Sequence, residues 1–389
     1  MFSTRTDWDL RPSPLYSLLQ QKRARVEEVL DLTESNPTKC GFIHSSSELI
    51  DSGSLQRSVL YEPDPKGLFS ARQAISGWYG RQNIAVDPDS IIVTSSTSEA
   101  YSFLFRLLCN VGDVVAVPKP SYPLFDYLAR LNDILCQEYR LAYDGEWHID
   151  LPSVEDVLSL NAEALILVHP NNPTGSFVKK EERDRIVAEA RARQIPIIVD
   201  EVFSAFSFAR DDRGADSFAG TSSTLTFTIN GLSKLLGLPQ MKLAWIVVSG
   251  PDDECAKALQ RLEVIADTYL SVGTAVQQVL PRLLSDRETM SEKILIRTRS
   301  NYESLRAVCA AGSPATLFQC ERGWNALLRL PAKKSDEEWA LELLQNAGVL
   351  THPANLFDFD LKSCVVVSLL PEHNVFSEGI RRMLAAVER

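Results

Sequence analysis

The amino-acid sequence predicts an α/β fold, a three-layer α/β/α arrangement around a mostly parallel sheet, together with a smaller α+β domain. Short apolar runs such as Ile91 to Val93 alternate with amphipathic segments between residues 90 and 250. This alternation is typical of parallel strands that helices cover on both faces. Polar residues follow the apolar runs directly, as expected if a ligand binds beyond the carboxyl ends of the strands.

The first 45 residues are expected to form an arm that joins the small domain. A helix is predicted from Leu15 to Leu30, and the Asn36-Pro37 pair fixes an extended turn after it. Residues 46–285 are expected to form the large domain, and residues 286–389 the small C-terminal α+β domain. A chain of 389 residues is long enough to bury two cores of ordinary size.

Hydrophobic periodicity predicts the remaining elements in order. The large domain has a first helix at 68–79, strands at 91–94, 114–117, 164–168, 195–199, 224–229 and 243–248, and helices at 98–109, 122–132 and 179–194. After Pro251 the sequence is strongly helical to about Ala311. The small domain then adds strands at 324–330 and 364–369 and helices at 335–346 and 375–388.

Composition limits the classes of function. A hydrophobic content of 45%, a charged content of 23% and a net charge of −11 predict a soluble globular protein and no nucleic-acid footprint. Seven dispersed cysteines, without CxxC spacing or a nearby histidine, indicate reduced thiols in the cytoplasm and no metal site. No run has the length of a membrane span, so we expect no membrane partner.

Two lysines lie between two buried apolar runs near the middle of the chain. Lys234 follows Asn230-Gly231, and Lys242 comes eight residues later, just before the next run. A lysine that lies beside a second cation and loses part of its water has a lowered pKa, which frees its amine for imine chemistry. The alternative is that both lysines are solvated loop charges.

The ends of three other strands carry candidate ligands. Ser96 and Thr97 open a helix, where hydroxyl and free N–H groups bind phosphate well, although an ordinary capping box is the alternative. Tyr122 lies in a proline turn from which it could stack on a planar cofactor or simply pack. The turn Asn172-Pro173-Thr174-Gly175 places one amide in the crevice. Asp200 is either a helix cap or a buried anion that needs a cation, such as a protonated pyridine nitrogen.

Together these motifs resemble the fold-type-I aminotransferases of class I/II, which use pyridoxal phosphate. The resemblance covers nearly the whole chain. It rests on the Asn-Pro-Thr-Gly turn at Asn172, Asp200, Ser233-Lys234, the basic residue eight positions after that lysine, the turn at Tyr61 and the Asn-Pro arm at Asn36. Each motif alone is weak, but their joint order is specific. The resemblance implies the pyridoxal-phosphate-dependent transferase fold.

The resemblance also implies roles. Lys234 binds the cofactor as a Schiff base and moves a proton between the substrate's α carbon and the cofactor. Asp200 keeps the ring nitrogen protonated, Asn172 donates to the phenolic oxygen and Tyr122 stacks on the ring. The implied phosphate ligands are Ser96, Thr97, Ser233, Lys242 and, from the other subunit of a homodimer, Tyr61. Asn36 and Trp324 are candidate substrate-binding residues.

Three positions depart from the family pattern. Lys242 stands where most members have arginine, so it keeps the charge but loses the bidentate fork. Phe203 stands where the family usually has a tyrosine that donates to the phenolic oxygen, and loss of that donor is expected to raise the pKa of the imine. Val366 stands where an arginine typically binds the substrate's α-carboxylate. Arg322 and Arg329 are candidate replacements, and strand alternation does not say which faces inward.

The predicted function is therefore transfer of an amino group between an amino acid, or a similar amine, and a 2-oxo acid. Because a carboxylate needs a charge or several donors, the missing arginine keeps a lyase or decarboxylase on the same scaffold as an alternative. A binding or regulatory module is disfavoured because the lysine, aspartate and asparagine are all present. A Rossmann nucleotide enzyme is disfavoured because no GxGxxG follows a predicted strand.

Overall fold

The computed structural model describes residues 1–45, 56, 58–59, 61–209, 211–215, 217–285 and 290–388. Its helices are α1 Pro14–Ala24, α2 Phe69–Gly80, α3 Thr97–Leu108, α4 Phe125–Leu131, α5 Leu151–Leu158, α6 Lys180–Arg193, α7 Leu232–Leu235, α8 Asp252–Tyr269, α9 Thr274–Ser285, α10 Met290–Ala310, α11 Asp336–Glu342 and α12 His373–Val387. Its strands are β1 Leu30–Asp31, β2 Ile91–Thr94, β3 Val114–Lys119, β4 Leu135–Tyr143, β5 Trp147–Ile149, β6 Ala164–Val168, β7 Ile197–Asp200, β8 Thr226–Gly231, β9 Ala244–Ser249, β10 Thr316–Leu317, β11 Asn325–Arg329, β12 Val349–Leu350, β13 His352–Pro353 and β14 Cys364–Ser368.

The large sheet has eight strands in the order β2-β9-β8-β7-β6-β3-β4-β5. Strands β8, β7, β6, β3 and β4 are parallel to one another. Strand β9 is antiparallel to both of its neighbours, so β2 runs in the same direction as β8. The carboxyl ends of β2, β8, β7, β6 and β3 therefore meet at one edge, which is where such sheets bind ligands.

Helices cover both faces of this sheet. On one face, Phe105 of α3 and Leu262 of α8 pack in the cluster that contains Ile92 and Ile166. On the other, Val154 of α5 and Ile186 of α6 pack in the cluster that contains Leu165 and Ile197. This three-layer arrangement confirms the predicted fold class. It also explains why the central strands are apolar on both sides, since neither face contacts water.

The smaller unit contains an antiparallel sheet in the order β10-β11-β14-β13, with α10, α11 and α12 packed around it. The N-terminal arm joins this unit because β1 pairs in parallel with β12, with Leu30 opposite Val349. The predicted association of the arm with the C-terminal part is thus confirmed. The expected domain boundaries adjoin residues 46–55 and 286–289, which lie outside the described residues, so the boundaries themselves remain predictions.

Some predicted elements were wrong. The first helix ends at Ala24 and not at Leu30, because Val26 adopts a left-handed conformation with φ of 58° and the chain then enters β1. Strand β4 was missed because only one of its nine residues is buried and Gln137, Glu138 and Arg140 interrupt its apolar residues. The helix expected from Tyr122 begins only at Phe125, after a proline turn.

The structure bears on two further expectations. The seven cysteines are free, three of them buried and four partly buried. Among the helices of the described ranges, none is both long and apolar enough to cross a membrane.

Candidate active site

The turn that carries Lys234 joins the antiparallel strands β8 and β9. A Cβ atom at Gly231 would lie 2.8 Å from the Cβ atom of Ala244, so glycine is needed where the two strands separate. The Leu232 N–H donates to the Leu243 carbonyl at 3.0 Å and closes the turn. The N-terminal arm covers the turn, because a Cβ atom at Gly237 would lie only 3.2 Å from Pro37. These contacts fix the backbone of the lysine.

Two aromatic rings lie beside the Lys234 amine. The Nζ atom lies 5.1 Å from the ring centre of Trp324 and 5.8 Å from that of Phe203. Burial lowers the pKa of Lys234, and the Asp200 carboxylate opposes this shift. Of the two causes predicted for the lowered pKa, the loss of water is confirmed and the second cation was wrong, because Lys242 is exposed and burial is the only cause that lowers the pKa.

Asp200 ends β7 and faces the same space. Its Oδ1 atom accepts a hydrogen bond from the Val202 N–H at 3.1 Å, and its Oδ2 atom accepts one from the Tyr101 hydroxyl at 3.2 Å. Burial raises the pKa of Asp200 to about 6, and both hydrogen bonds and the charge of Lys234 oppose that rise. Asp200 lies opposite Ile229 in the β7–β8 ladder, so it ends the strand beside the one that leads into the Lys234 turn, and each of the two charges influences the pKa of the other.

Sequence reasoning missed Tyr101, which lies in the first turns of α3. The ring packs edge-on against Phe125, with ring centres 5.3 Å apart, and this contact directs the hydroxyl toward Asp200. Helical periodicity indicates only that Tyr101 faces the sheet. Nothing in the sequence indicates which strand end lies opposite.

The Asn-Pro-Thr-Gly turn follows β6 and presents Asn172. The neighbouring Asn171 holds the turn, because its Oδ1 atom accepts from the Thr174 hydroxyl at 2.8 Å. Gly175 has φ of 70°, and a Cβ atom there would collide with the Arg322 carbonyl. The Oδ1 atom of Asn172 accepts a hydrogen bond of 2.6 Å from the Nδ2 atom of Asn325 on β11. The turn therefore lies directly against the smaller unit.

The start of α3 is an ordinary N-cap at Ser96. The Ser96 hydroxyl accepts from the Glu99 N–H at 3.1 Å, and the Glu99 carboxylate accepts from the Ser95 N–H at 2.6 Å. The structure therefore agrees with the alternative interpretation of Ser96, in which it caps the helix. The N–H groups of Thr97 and Ser98 have no partner within the helix, as at every helix start, and they remain able to bind an anion.

The other predicted cofactor ligands differ in exposure. Ser233 is partly buried in α7, beside Lys234, while Lys242 is exposed with φ of 50°. Tyr122 is 49% exposed and follows Ser121, whose N–H donates to the Phe357 carbonyl at 3.1 Å. Tyr61 is 78% exposed, so within one chain its side chain lies mainly on the surface.

The two candidate substrate-binding residues lie in different settings. Trp324 is 2% exposed, packs against Phe203 and Phe206, and has a buried indole N–H without a partner. Asn36 is partly buried in the arm, where its Oδ1 atom accepts from the N–H and the hydroxyl of Thr38 at 3.1 and 2.8 Å. The side-chain oxygen of Asn36 thus stabilises the turn through its hydrogen bonds to Thr38.

The position of the expected carboxylate-binding arginine is apolar. Val366 is fully buried on β14 in a cluster with Trp147, Phe318 and Phe357. Neither proposed replacement belongs to the aromatic cluster around Lys234: Arg322 lies over Phe177 at 4.4 Å, and Arg329 is exposed over Phe318 at 5.0 Å.

The fold and the site define a class of protein before any comparison. A partly buried lysine and a partly buried acid share a crevice at the carboxyl edge of a mixed sheet, and a second unit closes over it. Burial favours the neutral forms of both groups. The acid therefore needs a cationic partner to stay ionised, and the lysine has a reactive neutral amine. This arrangement fits pyridoxal 5′-phosphate, whose ring nitrogen is basic and whose aldehyde reacts with amines.

Comparison with known proteins agrees with a site for pyridoxal 5′-phosphate. The profile of the family Aminotransferase class I and II matches residues 27–377, so the chain belongs to this family of pyridoxal-phosphate-dependent aminotransferases. The chain is 26% identical over 385 residues to glutamate-pyruvate aminotransferase AlaA of Haemophilus influenzae, covering 97% of this chain and 94% of the relative. It is 29% identical over 355 residues to the protein of that name from Escherichia coli, covering 88% and 86%.

Alanine aminotransferase from Pyrococcus furiosus has the same fold, with a TM-score of 0.89, 20% identity and complete coverage of both chains. The predicted family, fold and cofactor are thus confirmed. The comparisons favour an aminotransferase over the lyase or decarboxylase alternative.

Proposed function

We propose that the Lys234 crevice transfers an amino group between an amino acid, or a similar amine, and a 2-oxo acid. The observation that carries the proposal is the pairing of Lys234, whose pKa burial lowers, with Asp200, whose pKa burial raises to about 6, in one crevice. Pyridoxal phosphate, when bound, supplies an aldehyde that captures amines and a ring that accepts the electrons left when an α proton departs.

Each residue has a role in this proposal. Lys234 would hold the cofactor covalently and, once a substrate amine has taken its place, would move a proton between the substrate's α carbon and the C4′ atom. Asp200 keeps the ring nitrogen protonated, and Tyr101 holds that carboxylate through the 3.2 Å hydrogen bond. Asn172 donates to the phenolic oxygen, and Tyr122 stacks on the ring.

We assign the phosphate to the start of α3 and the lysine turn. The N–H and hydroxyl groups of Ser96, Thr97 and Ser233 bind it, with Lys242 as the positive charge. We propose a homodimer in which Tyr61, exposed in a single chain, reaches the phosphate of the neighbouring subunit. The free cysteines support a cytoplasmic location.

Substrate choice follows from the walls of the crevice. The two bacterial relatives are glutamate-pyruvate aminotransferases, so alanine and glutamate are the first donors to test, with pyruvate and 2-oxoglutarate as acceptors. Because Val366 is buried among apolar side chains, we propose that the carboxylate of the substrate is bound elsewhere than at this position on β14. Trp324 and Asn36 are the substrate-binding residues that we propose.

The test is single-turnover spectroscopy of the purified protein with bound cofactor. Each amino donor should change the visible absorbance, and a 2-oxo acid should then reverse the change. Lys234→Ala should fold but lack the visible band of the covalently held cofactor, whereas Lys257→Ala, an exposed lysine on α8, should keep it. Full activity in Lys234→Ala would refute the assignment. Turnover of a donor without a reversible change in absorbance would favour a lyase.

A further inference from the structure

We propose that Asn325 is a positioning residue that sets the orientation of the Asn172 amide. This inference rests on the proposed function, because it assigns the Asn172 N–H to the phenolic oxygen of the cofactor. Asn325 lies at the start of β11 in the smaller unit, and Asn172 lies after β6 in the large sheet. The pair therefore connects the two halves of the crevice.

The hydrogen bond defines the orientation. The Asn325 Nδ2 atom donates to the Asn172 Oδ1 atom at 2.6 Å, so the oxygen of Asn172 is occupied on the side of the smaller unit. Because an amide is planar, with the oxygen and the nitrogen on opposite sides of its carbon, the Nδ2 atom of Asn172 points away from Asn325. Asn172 consequently presents donors and not an acceptor to its other neighbours.

Both backbones are braced close to this bond. Three residues beyond Asn172, the carbonyl of Gly175 accepts a 3.0 Å hydrogen bond from the N–H of Arg322, which lies three residues before Asn325. Asn325 is opposite Ser368 in the β11–β14 ladder, and its carbonyl accepts a hydrogen bond from the Cys320 thiol at 3.2 Å. Hydrogen bonds in the segment of Asn172 and in the segment of Asn325 thus hold the two amides in place.

The orientation matters because of Phe203. Phe203 has no hydroxyl to donate, so the proposed hydrogen bond to the phenolic oxygen depends on the Asn172 amide. A donor at that oxygen reduces its negative charge and weakens its hold on the neighbouring imine proton, so the donor lowers the pKa of the lysine-bound cofactor. Asn325 would therefore tune the cofactor without contacting it.

The test is a double-mutant cycle read as the pH titration of visible absorbance. An aspartate at position 325 can only accept hydrogen bonds once it is ionised, so Asn325→Asp should turn the Asn172 amide and aim its oxygen at the cofactor. The added negative charge also raises the cofactor pKa. In an Asn172→Ala background this charge effect remains, but there is no amide to turn.

We expect Asn325→Asp to raise the cofactor pKa by about 0.5 to 1 pH unit more in the wild-type background than in Asn172→Ala. Equal shifts in the two backgrounds would overturn the inference. Asn325→Leu removes the donor without adding charge and should give a smaller rise. If Asn325→Asp does not fold, the absence of a rise in Asn325→Leu overturns the inference instead.

Two controls separate the possible failures. Asn374→Asp makes the same chemical change at an exposed position in the first turn of α12 and should leave the titration unchanged. A wild-type protein that lacks a Lys234-dependent visible band would refute the proposed function itself, and this inference with it. If the wild-type band is normal and the pKa shifts of the two substitutions are additive, the inference about Asn325 is refuted and the proposed function is not.

Discussion

Asp200 gives the cofactor-free protein a stability that depends on pH. Burial raises the pKa of this carboxyl from its ordinary value of 3.8 to about 6 in the folded chain. Below about pH 4 the group is protonated in both the folded and the unfolded state. As pH rises through the window from 3.8 to about 6, the unfolded chain releases its proton first, so the free energy of unfolding falls.

The size of this effect follows from the shift in pKa. A difference of one pKa unit corresponds to about 1.4 kcal/mol, so a shift from 3.8 to about 6 gives an upper value of about 3 kcal/mol. Because Asp200 is only partly buried, we expect about 2 kcal/mol. Asp200→Asn has no charge to bury and should abolish this part of the pH dependence. Relative to wild type, the cofactor-free variant should gain about 2 kcal/mol between about pH 4 and about pH 8.

The assay is urea unfolding of the cofactor-free proteins, followed by tryptophan fluorescence at both pH values. Asp267→Asn, an exposed change on α8, is the matched control and should follow wild type. Cofactor binding should move in the opposite direction, because the variant lacks the anion for the ring nitrogen, and affinity should fall about 10- to 100-fold. The same pH dependence of stability in wild type and Asp200→Asn would refute the reasoning.

Two further predictions concern the aromatic wall of the crevice. Phe203→Tyr should restore a hydroxyl donor and lower the pKa of the bound cofactor by about 0.5 to 1 pH unit, measured by absorbance, and an unchanged titration would contradict this. Trp324→Ala should lower the free energy of unfolding by about 3 to 5 kcal/mol. It should also favour bulkier amino donors, measured as kcat/KM for phenylalanine against alanine, and an unaltered ratio would contradict Trp324 as part of the substrate site.

Much of the fold was predictable because the central strands are buried on both faces. An apolar run with polar residues directly after it, as at Asp200, locates both the strand and the edge that binds ligands. Strand β4 escaped prediction for the opposite reason, since only one of its nine residues is buried and polar residues interrupt its apolar ones. The reversed direction of β9 was also invisible, because burial makes a parallel and an antiparallel central strand equally apolar.

Contacts between distant segments account for what the sequence could not predict in the site. Asn325 and Asn172 are 153 residues apart, and neither position suggests the other. Tyr101 reaches Asp200 only because α3 packs on the sheet at that point. The exposure of Lys242 likewise depends on the path of the turn, which residue spacing does not determine. Local patterns identify strand ends, whereas the tertiary structure decides which side chains meet there.

The pairing of β1 with β12 has a consequence for synthesis. Leu30 leaves the ribosome early but must wait for Val349 before it can form its strand pair. At ~5–20 residues per second this delay is about 15 to 60 s. Trp324, whose ring centre lies 5.1 Å from the Lys234 Nζ atom, is also synthesised late, so the proposed active site is complete only near the end of translation.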